Sequence, residues 1–416
     1  MTTTMRLVDK AKEFDQMKAN YLNRSVSHTP FGLVVDVDFY DDGRFVYGEI
    51  VDAAIWTGVY IASQGFRFAV TNEQQAIENM ERSLRAVQDL RMITGKEGLI
   101  ARGFLKDFYQ SRPDWRQGTG DYQGYVWRGD ASRDGYLGVF FGLGIASQYI
   151  QSAETKHRAV EDIRSLANHL IDNGLRIIDV DGKPTEHGSF SNKVFGIPLE
   201  ALGALMALSV IRTAHRITGD EKFKSYYEQE LIRKKGYHRT ANRFLQLGLR
   251  LFGNYINDNL AFLALFSLIT SEDDTRLKSG YLSILDQIWK NRRGDLNSFF
   301  NVIHHGLLGK DSGEEAIRDA IDSLKRFPFP LENKDVKNSK DPNIPKAKWP
   351  FLRDRQGKAQ SRHPLPMDIR VRGNFMWKDN PRRLDGGRNN FQRFHPVAYL
   401  ISYWMGRYYD LIGPDE

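Results

Sequence analysis

Apolar residues recur along this chain mainly three and four positions apart, the spacing of one face of a helix. The pattern predicts helices near residues 6–23, 52–70, 73–94, 133–151, 155–174, 196–217, 220–235, 256–270, 273–291, 296–308, 313–325 and 394–411. Strict alternation replaces it in "LVVDVDFYDDGRFVYGEI", where Asp42-Gly43 predicts the turn of a hairpin. "LRIIDVDGKPT" is a second extended piece with its own Asp-Gly turn. Residues 95–131 read as a long loop rich in aromatics, Gly and Arg, and residues 327–390 as an irregular segment with many prolines.

The predicted helices are of two kinds. Some are apolar nearly all round and rich in Gly, Ala and aromatics, which implies enclosure by other helices. Each is followed by a charged amphipathic helix suited to an outer position. The junctions share one grammar. "AVTNEQQA", "RITGDEKF" and "LITSEDDT" each end an apolar helix with Ile/Val-Thr, turn, and open a polar helix with an acid; "YIQSAETK" is a looser copy. Capping residues and acids at such starts satisfy orphan amides and the helix dipole. Pairing inner with outer helices along the chain leaves the first and last helices over. If the C-terminal helix is inner and the N-terminal one outer, they form a sixth pair. The expected fold is therefore an all-α (α/α)6 toroid with small β-hairpin insertions, formed by residues 1–416 as one domain, with loops 95–131 and 327–390 lining one end. An open helical solenoid is the alternative, disfavoured by the odd repeat spacing and the long loops.

Composition narrows the chemistry. The absence of Cys excludes disulfides, thiolate metal sites and a cysteine nucleophile. The net charge of +7 favours anionic partners, but 59 basic and 52 acidic residues are mixed along the chain without a basic block. No nucleic-acid or membrane partner is expected, and no apolar run is long enough to span a bilayer. The charged N-terminus carries no export signal, so the default expectation is a cytoplasmic protein, or an exported one if a leader was removed.

The candidate chemistry gathers at the starts of inner helices. "WRGDASRDGYLGVFFGLG" crowds Arg128, Asp130, Arg133 and Asp134 before a buried, glycine-rich segment. Ser132 or Asp130 can cap that helix, which accounts for only part of the charge. Asp52 opens the first inner helix and precedes Trp56. Two carboxylates from two helix starts are the usual equipment for glycoside chemistry, one as acid and the other as base or nucleophile. Asp52 and Asp134 are the expected pair, with Asp134 as donor and Asp130 as second choice. A separation of about 5–5.5 Å would suit a retaining hydrolase and about 6.5–9.5 Å an inverting one. Aromatics beside Arg, Asp and Asn suit stacking on sugars, and Trp56, Trp127 and Trp377 are the candidate platforms; the same aromatics equally suit anchoring of long loops. Arg102, Arg128 and Arg133 are candidates to hold substrate carboxylates through the bidentate guanidinium fork. Asp258, in "NYINDNLAF", is a cap or a lining residue. Adjacent His304 and His305 diverge on a helix, lack partners at metal-ligand spacing and predict no metal site. "GLGIAS" lacks the dinucleotide pattern and "LDGGRNN" falls short of a phosphate loop, so no cofactor is expected.

The inner/outer alternation resembles the six-hairpin glycosidase-like toroids, which include unsaturated glucuronyl hydrolases. "SRDGYLGVFFGL" is similar to their serine-arginine-x-glutamine inner-helix opening, although Gly135 and Tyr136 depart from it. More closely, "DAAIWTGVYIASQGFRFAV", "ITGKEGLIARGF", "WRGDASRDGYLGVFFGL" and "YWMGRYYDLIG" look like a bacterial group of uncharacterised toroid proteins. The resemblance implies a carbohydrate ligand, with Asp52 and Asp134 as the acids. The leading expectation is a glycoside hydrolase acting on an acidic or modified oligosaccharide or polysaccharide. A polysaccharide lyase or uronic-acid epimerase, with a His or Tyr base, is the nearest alternative. A noncatalytic toroid that binds glycan or protein is the third, because fold does not fix function.

Overall fold

The computed structural model describes the chain apart from residues 1–4, 17, 20–23, 26–28, 30, 41–43, 48–49, 107–113, 194–196, 198–199, 244–254, 310–313, 330, 350, 355, 372–379 and 389–391. The helices in chain order are α1 (Leu7–Gln16), α2 (Ala53–Thr71), α3 (Gln74–Met92), α4 (Arg133–Ala146), α5 (Ala153–Asp172), α6 (Ala201–Thr218), α7 (Glu221–Ser225, continuing as a π-helix over Tyr226–Lys234), α8 (Tyr255–Ser271), α9 (Thr275–Arg292), α10 (Ser298–Leu308), α11 (Glu314–Lys325) and α12 (Val397–Tyr408). The main departure from expectation is α1, which stops at Gln16; Lys18–Ala19 then pairs as a short strand with Arg24–Ser25. The Asp42-Gly43 turn lies outside the described residues, but its flanking strands, Val37–Phe39 and Phe45–Tyr47, pair antiparallel as expected.

The chain divides into two compact units, Met1–Ser27, Asp36–Gly48 and Asp286–Glu416 forming one, His28–Val35 and Glu49–Leu285 the other. In the second unit, α2 is buried at every position from Ala53 to Arg67, α6 from Ala201 to Ala214 and α8 from Asp258 to Ile269. Their partners bury one stripe only: α3, packed on α2, uses Ala76, Ile77, Met80, Leu84, Val87 and Leu90. This is the predicted division into enclosed and outer helices. Glycine sets the closest packing. Gly58 of α2 faces Gly138 of α4, and a Cβ on Gly58 would stand 2.0 Å from the Gly138 carbonyl oxygen. Farther along, Phe266 of α8 meets Phe66 of α2 and Phe141 of α4 edge-on, with ring centroids 6.2 and 5.6 Å apart.

The segment 95–131 is more ordered than a loop. Its strands β1 (Gly103–Lys106), β2 (Trp115–Gln117) and β3 (Tyr125–Arg128) form an antiparallel sheet in the order β1-β3-β2. Phe104 and Leu105 of β1 and Val126 and Trp127 of β3 are buried. These strands are only three or four residues long, too short for alternation to stand out among the glycines and arginines. β4 (Arg176–Ile178) and β5 (Pro184–Ser189) form the hairpin expected from the second Asp-Gly turn, with Gly182 at φ +79°.

In the first unit, α10 packs against α11 and α12, and α1 lies against α12. The Tyr399 hydroxyl donates to the Leu7 carbonyl (2.8 Å), the Leu7 amide donates to the Glu416 carbonyl (2.9 Å), and Phe14 packs on Tyr399. The terminal helices therefore pair, as the alternation requires.

Candidate active site at the starts of three inner helices

Asp52 ends a short 3-10 turn (Ile50–Asp52) and occupies the N-cap position of α2, yet its side chain makes no cap bond to the helix. The Ala54 amide donates instead to the Arg102 carbonyl (3.2 Å), which is held in place because the Arg102 amide bonds the Arg128 carbonyl (2.9 Å). The Ala54 amide is thus met by backbone and not by the Asp52 carboxylate. It pairs with the Arg102 guanidinium at 3.7 Å. Arg102 also donates to the carbonyls of Val51 (2.9 Å) and Asp130 (3.3 Å), tying the start of α2 to the loop before α4.

α4 repeats the arrangement by another route. Ser132 caps it, accepting from the Gly135 amide at 3.4 Å. Asp134, in the first turn, is left over. Burial pushes its carboxyl above the usual range; Arg133 works against this, the negative charge of Asp52 adds to it, and Arg102 and His187 oppose it. The charge of Asp52 thus reaches Asp134.

The third acid was missed by the sequence reasoning. Glu200 caps α6 by accepting from the Gly203 amide, and its other oxygen lies 3.5 Å from Arg133. Arg133 also donates to the Ser189 carbonyl (3.2 Å). Burial raises the Glu200 carboxyl, and Arg133 opposes the rise. The signal was present: Glu200 precedes "ALGALMALSVI" as Asp52 precedes "AAIWTGVY".

The remaining candidates divide. Asp130, at φ +53°, accepts from the Glu186 amide (2.8 Å) through its carboxylate and donates its own amide to Asp179 (3.1 Å), so it braces the β4–β5 hairpin. Burial alone would raise the Asp179 carboxyl, but the Asp130 and Val180 amides and Arg116 (2.9 Å) hold it below its usual value. Arg128 is turned to Asp114 at 2.5 Å. Trp56 and Trp127 are 4% and 3% exposed, and Arg116 covers the Trp127 ring at 5.6 Å, so neither indole presents an open stacking face. Asp258 is buried in the first turn of α8. Trp377 lies outside the described residues. In the other unit, His304 stacks on Trp289 (3.8 Å between centroids) and meets Asp286 at 3.1 Å; burial lowers its pKa to about 4. Among the described residues no group of three His, Asp or Glu is arranged to hold a metal, and no helix is long and apolar enough to cross a membrane.

No protein-family profile matches the chain, and no curated protein matches it by sequence. Solved structures do. A sugar epimerase from a ruminal bacterium aligns over 96% of this chain and 98% of its own, at 9% identity and a TM-score of 0.50. An unsaturated glucuronyl hydrolase specific for heparin aligns over 97% of each chain, at 11% identity and a TM-score of 0.46. The paired inner and outer helices and the likeness to the epimerase show the fold: this chain has a mostly helical (α/α)6 architecture.

Proposed function

We propose that the chain is a carbohydrate-active enzyme, a glycoside hydrolase in which Asp134 is the proton donor and Asp52 the partner carboxylate. The carrying observation is that both acids stand at inner-helix starts where the described cap bonds come from other groups, while the charge of Asp52 reaches the buried Asp134. A carboxylate that is neither cap nor loop brace, and whose protonated form is favoured by burial, is suited to giving a proton to a leaving glycosidic oxygen. Asp52, set by Arg102, then either attacks the sugar carbon or takes a proton from the attacking water. The sugar epimerase among the structural neighbours supports a saccharide substrate and favours epimerisation as the second reading.

Incubating the full chain with a panel of oligosaccharides separates these readings. Hydrolysis releases new reducing ends. Epimerisation changes the sugar without changing chain length. Asp134→Asn should abolish release of reducing ends while leaving sugar binding intact. A fully active Asp134→Asn variant would end the hydrolase reading.

A further inference from the structure

The arginines around the described site are already committed to partners in their own chain. Arg102 serves two carbonyls and Asp52. Arg116 pairs with Asp179 and Arg128 with Asp114. Arg133 is shared between the Ser189 carbonyl and Glu200. The expectation from sequence, that Arg102, Arg128 and Arg133 grip a substrate carboxylate, did not include Asp114 and Glu200.

Resting on the reading of this site as a saccharide site, we propose that it takes neutral rather than acidic sugars, and that Glu200 sets this preference by occupying Arg133. A uronate reaching for Arg133 would have to displace Glu200, leaving a partly buried carboxylate without its counter-charge. It would also meet the negative charge of Asp52, a like-charge juxtaposition that is costly at low dielectric. The helix N-termini offer little compensation. One first-turn amide of each is answered, by Ser132, by Glu200 and by the Arg102 carbonyl, and resident acids already lie in their field. Sugar hydroxyls, by contrast, are donors, and carboxylates and carbonyls are acceptors with spare lone pairs.

The test is calorimetric binding of the full chain to trisaccharide pairs that differ only at C6: gluco with glucurono, manno with mannurono, galacto with galacturono. Within the pair whose backbone fits, the neutral member should bind at least about tenfold more tightly, and the deficit of the uronate should shrink in high salt. Glu200→Gln keeps an oxygen for the Gly203 amide and frees Arg133, and should narrow the gap about threefold or more. A wild-type preference for the uronate overturns the proposal whatever the variant does. An unchanged gap in a folded Glu200→Gln protein removes Glu200 as its cause. Failure of every trisaccharide to bind refutes instead the saccharide reading on which this rests.

Discussion

Gly58 and Gly138 face each other so closely that a methyl group on Gly58 would lie 2.0 Å from the Gly138 carbonyl oxygen. Gly142 stands one turn on, where an added Cβ would be 2.3 Å from the Gly58 carbonyl. Gly138 and Gly142 thus let two backbones touch, and the helices they join are the two whose N-terminal ends carry Asp52 and Asp134. The site is set by this helix contact as much as by the acids themselves.

Gly58→Ala should therefore destabilise the protein by about 3 kcal/mol or more, at or beyond the upper end of ordinary overpacking, because the obstructing atoms are backbone and cannot rotate away. Chemical denaturation of the variant against wild type measures it. Gly280, whose Cβ would meet nothing within 4 Å, is the control: Gly280→Ala, inside α9, should be neutral or mildly stabilising.

Arg102→Lys should lower kcat/KM on a responsive glycan about 100-fold, the scale of an ångström-sized misplacement of a reacting group. One ammonium cannot span Val51, Asp130 and Asp52 as the guanidinium does. A variant with wild-type kinetics would show that Arg102 does not position Asp52.

Lys10 is a test away from the site. Its buried ammonium donates to the carbonyls of Leu324 (3.2 Å), Lys325 (2.8 Å) and Phe327 (3.1 Å), closing the C-terminal end of α11. Lys10→Met leaves these acceptors buried without their donor and should cost about 1–3 kcal/mol in denaturation.

The arrangement of inner and outer helices was legible because burial on all sides and burial on one side leave different periodicities, and nearly every helix fell within a few residues of its predicted bounds. Asp52 and Asp134 were legible because each begins such a helix. Glu200 was hidden because the apolar Ile197 and Leu199 carried the pattern backwards, placing the predicted start at 196 and the acid inside the helix. The ion pairs were not legible at all. Arg133 and Glu200, or Arg116 and Asp179, meet only through tertiary packing, and no spacing rule connects them. A cluster of arginines therefore read as a surplus of positive charge, whereas the folded chain matches each with an acid or a carbonyl.

The pH behaviour of Asp134 tests the site twice. As proton donor it must be protonated, so activity should fall as pH rises through its raised pKa, later than for an ordinary carboxyl. Arg133 pulls that pKa down, so Arg133→Met should move the falling limb to higher pH. The same shift acts on stability. Between the unfolded carboxyl pKa and the raised folded one, the native state binds more protons than the unfolded state, and stability declines as pH rises across that window. Above it the full cost of burying the charge remains. Asp134→Asn removes the charge, so its stability relative to wild type should grow across the window and stay at least equal at neutral pH. Denaturation midpoints of both proteins from acid to neutral pH give the answer. A variant less stable than wild type at neutral pH would mean that the ionised Asp134 holds the fold together, and the proton-donor assignment would lose its physical basis.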